Sequence, residues 1–260
     1  MCLLSFIPAS VAPDPQALLR GAEANPHGHG FAVITGDRIV TGHGMNAQEM
    51  IDAFARVRAA HPDGPALFHS RYATHGIRTV ANCHPFRLGG DQRTVLAHNG
   101  ILPKRVHPGA YDWRSDTRIA AEDYLPGMPF GSLDTFRGSR GLETWLGSSK
   151  LLILTVDLAY EQQVYLFGES KGQWDNGIWY SNSSFLPVSH RYSLHERYVC
   201  DGCDDVDLYR VGRYCRQCGW CFACEIRFPH CECRPPRAHR RPPRAPGRQL
   251  ALPTPPQPST

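Results

Sequence analysis

The distribution of cysteine divides this chain into two parts that fold in different ways. Of the ten cysteines in 260 residues, only Cys2 and Cys83 lie in the first 199 positions, and the other eight lie between Cys200 and Cys233. The cysteine-rich segment has too little apolar sequence to fold by burial alone, so that it needs cross-links or metal ions. The long segment before it is large enough to fold around an ordinary hydrophobic core.

The start of the chain predicts neither export nor a membrane anchor. The sequence MCLLSFIPAS has no positively charged segment, and Pro8 interrupts its apolar run. No apolar run in the chain approaches the roughly 20 residues that span a bilayer. We therefore expect a cytoplasmic protein without a membrane partner. Since thiols are kept reduced in that compartment, the cysteine-rich segment indicates metal binding rather than disulfides.

The hydrophobic pattern of the first part predicts a mixed α+β protein. Apolar residues at helical spacing predict helices at 16–24, 46–60 and 115–125, and Asn46 with Glu49 forms a capping box for the second. β-Rich runs predict strands at 31–42 (a hairpin), 65–71, 93–99, 150–157, 162–168 and 177–183. Two short links indicate that the last three strands are antiparallel. Strands flanked by a few helices indicate an α+β sandwich that ends near residue 195.

Polar clusters lie at the ends of the predicted strands and in turns. They read NPHGHGF (25–31), HSRYATHG (69–76), NCHPF (82–86), LAHNGIL (97–103) and RSDT (114–117). Each cluster alone is typical of a solvated loop or a turn. Cys2 is either an ordinary small apolar residue or a nucleophile. If the initiator methionine is removed, its thiol lies beside a free α-amino group that can act as the base.

In order and spacing, these segments resemble the glutaminase domain of the class II glutamine amidotransferases, which are N-terminal-nucleophile (Ntn) hydrolases. That family has a mature N-terminal cysteine, then H-[ST]-R-[WY]-A-T-H-G, N-x-H-P, H-N-G and D-T at a helix start. This chain has all five over about residues 2–190. The resemblance implies a four-layer αββα sandwich of two antiparallel sheets, here the domain 2–195. Tyr72 stands where the family commonly has tryptophan, and Cys83 is expected to be a packed thiol.

The resemblance also implies a role for each matching residue. Cys2 is the nucleophile and forms a γ-glutamyl thioester, while its α-amino group, with a pKa of about 7.7–8, takes and returns the proton. Asn99 and Gly100 form the oxyanion hole. The residues expected to bind the substrate are Arg71 at the α-carboxylate, Asp116 at the α-ammonium group, and Tyr72, Thr74 and His75 at the same end of the pocket.

The resulting prediction is an enzyme that hydrolyses the glutamine side-chain amide to glutamate and ammonia without a cofactor. The sequence after the domain contains neither a Gly-rich phosphate loop nor a segment long enough for a synthase. We therefore expect the ammonia acceptor on a separate protein. Two alternatives stay open. One is an Ntn amidohydrolase that acts on another γ-glutamyl or linear amide, and the other is a non-catalytic, zinc-dependent binding protein with this domain as a scaffold.

The cysteine-rich segment, 196–233, is predicted to be a zinc module. Its spacing, C-x2-C-x11-C-x2-C-x2-C-x2-C-x6-C-x-C, contains the paired C-x-x-C motifs of structural Zn²⁺ sites. Sequential and cross-braced pairings both fit this spacing, His230 is a further candidate ligand, and an iron–sulfur cluster is the alternative. We expect two zinc ions held by Cys200, Cys203, Cys215, Cys218, Cys221, Cys224, Cys231 and Cys233.

The remaining residues, 234–260, form a tail rich in proline and arginine. The tail holds six arginines, nine prolines and no acidic residue, so that the rest of the chain carries about −2 of the overall charge of +4. A segment of this composition cannot bury apolar surface and is predicted to be disordered. Its arginines and the zinc module leave contact with nucleic acid open, although a soluble tail is the simpler interpretation.

Overall fold

The structure is a computed structural model. It describes residues 2–187, together with residues 218, 220, 221, 226, 227 and 230. The chain divides into two compact units, Met1–Leu194 and His195–Thr260, which are considered separately. The tail predicted to be disordered, 234–260, lies outside the described residues.

The described part of the first unit contains ten strands and four α-helices. The strands are β1 (Leu3–Ile7), β2 (His29–Ile34), β3 (Ile39–Gly44), β4 (Ala66–Ser70), β5 (Phe86–Leu88), β6 (Asp91–Asn99), β7 (Lys150–Thr155), β8 (Val164–Phe167), β9 (Gln173–Asp175) and β10 (Ile178–Tyr180). The helices are α1 (Pro15–Ala24), α2 (Ala47–Ala60), α3 (Asp116–Ile119) and α4 (Phe136–Leu146). No helix of these residues combines the length and the apolar character that crossing a bilayer requires.

The strands form two antiparallel sheets. The first sheet has the order β3-β2-β4-β1-β10-β9, and the second has the order β5-β6-β7-β8. β1 therefore lies inside the first sheet, where β4 pairs with one of its edges and β10 with the other. The three strands predicted after residue 150 are divided between the sheets. β7 and β8 pair with each other in the second sheet, whereas β10 joins β1 in the first.

Three apolar cores lie between the layers of the fold. Along β1, successive side chains point to opposite faces, so that Leu3 faces the helices while Leu4 faces the second sheet. Helices α1 and α2 cover the outer face of the first sheet through a core that includes Leu18 and Phe54. The segment after Asp116 and helix α4 cover the second sheet through a core that includes Leu142. The predicted αββα sandwich is confirmed.

Helix α2 begins as its capping box predicts. The Glu49 N–H donates to the Asn46 side chain at 3.2 Å, and the Asn46 amide donates back to the Glu49 carboxylate at 3.1 Å. The helix predicted at 115–125 begins with Ser115 as its N-cap, but it continues as a π-helix over Ala120–Tyr124 and then as a 3₁₀ turn. Capping residues therefore fix where these helices start. The change from α-helix to π-helix after Ile119 has no signal in the sequence.

Arg58 connects the end of α2 to the chain that leaves β1. Its guanidinium donates to the carbonyl oxygens of Pro8 at 2.8 Å, Val11 at 2.9 Å and His61 at 2.7 Å, and also to that of Pro62. The residue is buried, and its charge is stabilised by these carbonyl dipoles in place of water. The carboxyl end of β1 is thereby fixed to the helical layer.

Four histidines are buried in the sandwich, namely His29, His69, His84 and His98. The rings of His69 and His84 stack with their centroids 3.9 Å apart, and neither ring nitrogen of His84 has a hydrogen-bond partner among the described residues. Burial lowers the pKa of His69 to about 3 and the pKa of His29 and His98 to about 4, and it holds the pKa of His84 well below its usual value. All four imidazoles are therefore neutral near neutral pH.

We expect the free energy of unfolding to decrease as the pH falls from about 6.5 to about 4. In this range the unfolded chain binds protons on imidazoles that the folded chain keeps neutral, so that acid favours the unfolded state. The loss is up to about 1.4 kcal/mol per pH unit for each imidazole. Urea unfolding at a series of pH values across this range measures it.

His84→Phe is the variant that isolates this effect. The substitution removes one titrating ring but breaks no hydrogen bond to a described residue, and the neighbouring ring of Phe86, 4.7 Å away between centroids, favours an aromatic replacement. The carboxylates are common to both proteins and contribute equally. The variant should therefore show a shallower pH dependence than the wild type, and equal slopes would contradict the assignment to the buried histidines.

The second unit is described at only a few positions. Of the predicted zinc ligands, Cys218 is partly buried and Cys221 is buried. Trp220 and Arg227 form an antiparallel bridge, and the Cys221 N–H donates to the Ile226 carbonyl at 3.1 Å. The other predicted ligands lie outside the described residues: Cys200, Cys203, Cys215, Cys224, Cys231 and Cys233.

Candidate active site

The sheet register brings the first predicted site residues together. Cys2 directly precedes β1, and Arg71 directly follows β4. Because these strands are antiparallel, with Leu3 paired to Ser70, the start of one adjoins the end of the other. The thiol and the guanidinium therefore lie at the same edge of the first sheet, although 69 positions separate them in the sequence.

The Cys2 thiol contacts the backbone of Tyr72. The Tyr72 N–H donates to Cys2 Sγ at 3.2 Å, and the thiol donates to the Tyr72 carbonyl at 3.5 Å. Burial raises the pKa of the Cys2 thiol, while the Tyr72 N–H and the positive charge of Arg71 oppose that shift. A thiol whose pKa is raised stays protonated near neutral pH, so that it needs a base in order to act as a nucleophile.

Arg71 shapes the loop that follows β4. The residue is only 2% exposed, and its guanidinium donates to the carbonyl oxygens of His75 at 2.6 Å and Ile77 at 2.9 Å. These bonds use two of the five N–H groups of the guanidinium. Tyr72 and Thr74 lie on the same loop and are exposed. Arg71 thus holds the backbone of the segment that carries three predicted substrate-binding residues.

Asp116 is a buried carboxylate at the first position of α3. Its Oδ1 accepts the Thr117 N–H at 2.8 Å and its Oδ2 accepts the Leu102 N–H at 3.0 Å. Its negative charge raises the pKa of the Cys2 thiol, whereas Arg71 lowers it. Asp116 also lies beside the loop that follows β4, since its Oδ2 is 3.9 Å from Nδ1 of His75.

Asn99 is linked to the strand of Cys2 through Ser181. Asn99 ends β6 and is buried, and its amide donates to Ser181 Oγ at 2.7 Å. The Leu4 N–H donates to the same oxygen at 2.9 Å. The bond to Ser181 uses one of the two N–H groups of the Asn99 amide, and Gly100 follows with a positive φ of 147°.

Several residues that build this site have no role predicted from the sequence. Asn182 donates from its side chain to the Cys2 carbonyl at 2.7 Å, and Ser181 bridges the sheets as described above. His27 accepts the Ala73 N–H at 3.0 Å. The Ser-Asn pair follows the apolar part of a β-rich run, which is the same pattern that singled out the other polar clusters, and this signal could have identified it.

Asn82 joins the loop that follows β4 to the segment before α3. Its amide donates to the Ile77 carbonyl at 3.0 Å and to the Trp113 carbonyl at 2.7 Å, and its Oδ1 accepts the Ser115 N–H at 3.0 Å. Asn82→Asp places an oxygen against two carbonyl oxygens in a buried position. We expect this substitution to lower the free energy of unfolding by roughly 2–4 kcal/mol in chemical denaturation.

Asn46→Asp is the matched control for this substitution. Asn46 is exposed at the N-cap of α2, where aspartate serves about as well as asparagine. The same chemical change there disturbs only the exposed contact between the Asn46 side chain and the Glu49 carboxylate, so that it should lower the free energy of unfolding by less than about 1 kcal/mol. Comparable losses in the two variants would contradict a special role for the Asn82 amide.

Sequence comparison finds relatives that match part of the chain, although no family model matches. The chain is 33% identical over 82 residues to a probable glutamine–fructose-6-phosphate aminotransferase (isomerizing) of Schizosaccharomyces pombe. This match covers 26% of this chain and 12% of that protein. The chain is also 37% identical over 57 residues to glutamine–fructose-6-phosphate aminotransferase (isomerizing) 2 of Mus musculus. This match covers 20% of this chain and 8% of that protein. The predicted resemblance to the class II glutamine amidotransferases is confirmed. The matches span about a tenth of the length of these two relatives.

Solved structures of class II glutamine amidotransferases also resemble this chain. Glutamine phosphoribosylpyrophosphate amidotransferase from B. subtilis matches with a TM-score of 0.43 at 20% identity, over 71% of this chain and 42% of that chain. A glutamine aminotransferase class-II domain protein from Silicibacter pomeroyi matches with a TM-score of 0.31 at 16% identity, over 69% of this chain and 87% of that chain.

Proposed function

We propose that this chain hydrolyses the side-chain amide of free glutamine through Cys2 and releases glutamate and ammonia. The observation that carries the proposal is the meeting of a thiol, a buried guanidinium and a buried carboxylate at one edge of the sandwich. A free α-amino acid presents a carboxylate and an ammonium group, which Arg71 and Asp116 complement in charge. A peptide or another amide without both charges would leave one of these buried groups unpaired.

The reaction proceeds in two halves. Removal of Met1 gives Cys2 a free α-amino group, which takes the thiol proton as Sγ attacks the amide carbon. Asn99 and the Gly100 N–H stabilise the negative charge on the amide oxygen. The C–N bond breaks, the α-ammonium returns its proton to the leaving ammonia, and a γ-glutamyl thioester remains. Water then attacks the thioester, which releases glutamate and regenerates the thiol.

We further propose that the ammonia passes to an acceptor on a separate protein. The two loops that border the site expose apolar side chains to solvent, among them Ile77, Val80, Ile101 and Trp113. Exposed apolar side chains grouped around a site favour contact with another protein. The relatives from Schizosaccharomyces pombe and Mus musculus are named as aminotransferases, which is consistent with transfer of nitrogen to an acceptor.

The cysteine-rich segment is proposed to hold structural zinc. Cys221 is buried, and its N–H bonds to Ile226 next to the bridge between Trp220 and Arg227. A short closed turn around a C-x-x-C pair is the backbone arrangement that lets two thiolates reach one ion. We expect about two zinc ions per chain by elemental mass spectrometry, and release of zinc should accompany reaction of the thiols. Iron with acid-labile sulfide would favour the cluster instead.

The decisive experiment for the function incubates the purified full chain with glutamine. Glutamate and ammonia should form in equal amounts, and the intact mass should lack Met1. A set of other γ-glutamyl and linear amides run beside glutamine tests the alternative substrate class. If one of these amides is hydrolysed faster than glutamine, that amide and not glutamine is the substrate. Absence of turnover on every amide, with Met1 removed, would favour the scaffold and overturn the proposal.

A further inference from the structure

Three side chains of the site come together as a set of metal ligands. His75, His107 and Asp116 each offer one ligand atom, and the three atoms lie within 4.8 Å of one another. They belong to three separate segments, and the reaction proposed above gives no role to His107. We propose that they bind a divalent transition-metal ion. Two imidazoles with one carboxylate are a ligand set that zinc favours, with the fourth position left for water.

His107 has the hydrogen bond that a metal-binding histidine needs on its far side. Its Nε2 lies 2.7 Å from the carbonyl oxygen of Leu102. Only a protonated nitrogen donates to a carbonyl, so that in the neutral ring the proton is on Nε2 and Nδ1 keeps its lone pair. Histidines that bind metals commonly donate their other N–H to a backbone carbonyl in this way.

The backbone of one residue orients two of the three ligands. The Leu102 N–H donates to Asp116 Oδ2 at 3.0 Å, while the Leu102 carbonyl accepts from His107. Leu102 is itself buried in the apolar core of the second sheet. The carboxylate and one imidazole are therefore held by a fixed part of the fold, as supporting groups hold the ligands of a metal site.

His75 has a buried nitrogen that lacks a hydrogen-bond partner. Its Nδ1 is buried and has none among the described residues, and it lies 3.9 Å from Asp116 Oδ2, which is too far for a hydrogen bond. Ligands of tetrahedral zinc lie about 3.3 Å apart, given metal–ligand distances of about 2.0–2.1 Å. A small movement of the partly exposed His75 side chain closes this gap, and the ion then satisfies the nitrogen.

A metal ion at this position excludes an amino acid from the pocket. Asp116 cannot bind an ion and the α-ammonium group of glutamine at the same time, so that the metal acts as a reversible inhibitor. This consequence rests on the proposed function, whereas the metal site itself does not. Free zinc would then decide whether the chain can hydrolyse glutamine.

The test uses the full chain with zinc only in its cysteine-rich segment, after dialysis has removed weakly bound metal, and titrates it with Co²⁺ in the absence of substrate. We expect one additional ion per chain, with d–d absorption but without thiolate-to-cobalt charge transfer, because its ligands are nitrogen and oxygen. His107→Gln keeps a donor for the Leu102 carbonyl but removes the Nδ1 lone pair. It should weaken this binding by at least about 100-fold, since loss of a supporting group alone costs 10–100-fold.

His61→Gln is the matched control, because His61 is exposed at the end of α2 and its replacement should leave the additional ion in place. Thermal unfolding establishes that both variants fold, and Asp116→Asn serves as a second ligand variant. Absence of the additional ion in the wild type, equal binding by His107→Gln, or a charge-transfer band would each overturn the site. Glutamate should weaken cobalt binding, and no effect of glutamate would overturn the competition.

The outcomes for the metal and for the reaction are separable. A chain that hydrolyses glutamine but binds no additional cobalt overturns the metal site and leaves the proposed function intact. A chain that binds the ion at His107 but hydrolyses no amide supports the site and removes only the inhibitory consequence.

Discussion

Replacing Cys2 with alanine is expected to reduce glutamine hydrolysis by at least about 1000-fold, because removal of a nucleophile also removes the covalent intermediate. The residual rate would reflect only binding and the oxyanion donors. Stability should change little, since the side chain is partly buried and, among the described residues, its Sγ bonds only to the backbone of Tyr72. Release of glutamate measured under saturating glutamine tests the first expectation, and urea unfolding tests the second.

The other cysteine of the first unit provides the matched control. Cys83 is buried, as expected for a packed thiol, and its sulfur contacts Gly44, Met45 and Thr79. Burial raises the pKa of its thiol, so that it is a poor nucleophile. Cys83→Ala should therefore retain hydrolysis within a few-fold and lose some stability. Equal activity of Cys2→Ala and the wild type would exclude Cys2 as the nucleophile.

Replacing Gly100 with alanine is expected to lower the free energy of unfolding by roughly 2–4 kcal/mol and to abolish hydrolysis. Gly100 has a φ of 147°, which side-chain-bearing residues rarely adopt. An added Cβ would also overlap Ser149, with its Cβ at 2.8 Å and its Cα at 3.0 Å. The backbone would have to move, and the N–H proposed to bind the oxyanion would move with it.

Gly90→Ala separates the two causes. Gly90 also has a positive φ, of 81°, but an added Cβ there meets no atom within 4 Å. Gly90→Ala should therefore lower the free energy of unfolding by only about 1 kcal/mol, which is the cost of a side chain at a positive φ without a steric clash. Urea unfolding of both variants gives the comparison, and a loss in Gly100→Ala no larger than in Gly90→Ala would show that contact with Ser149 is unimportant.

Local sequence predicted most elements of the sandwich, but not how the strands are shared between the sheets. The capping box at Asn46 and the β-rich runs are local signals, and the structure confirms them. Helix α4 was not predicted, since glycines at two of its eleven positions, FRGSRGLETWL, weaken its helical pattern. β10 pairs with β1, a strand more than 170 positions away in the sequence, and no local pattern specifies such a distant partner.

The motifs predicted which residues form the candidate site, whereas the contacts that support these residues depend on the fold. Cys2 and Arg71 do lie at one edge of the first sheet, as the antiparallel pairing of β1 and β4 requires. Only the three-dimensional structure shows that the Arg71 guanidinium donates to two loop carbonyls. The same is true of the hydrogen bonds by which Leu102 orients Asp116 and His107. The roles of the site residues and the zinc ligands remain predictions for the experiments above.

The central position of β1 has a consequence for synthesis of the protein on the ribosome. Residues 3–7 are translated well before residues 178–180, yet Ser5 pairs with Tyr180, so that one edge of β1 has no partner until almost the whole unit has been made. Contacts so distant in sequence form late and slow folding. The segment that bears Cys2 is therefore translated well before its last partner strand, and a nascent chain cannot assemble the site before β10 is available.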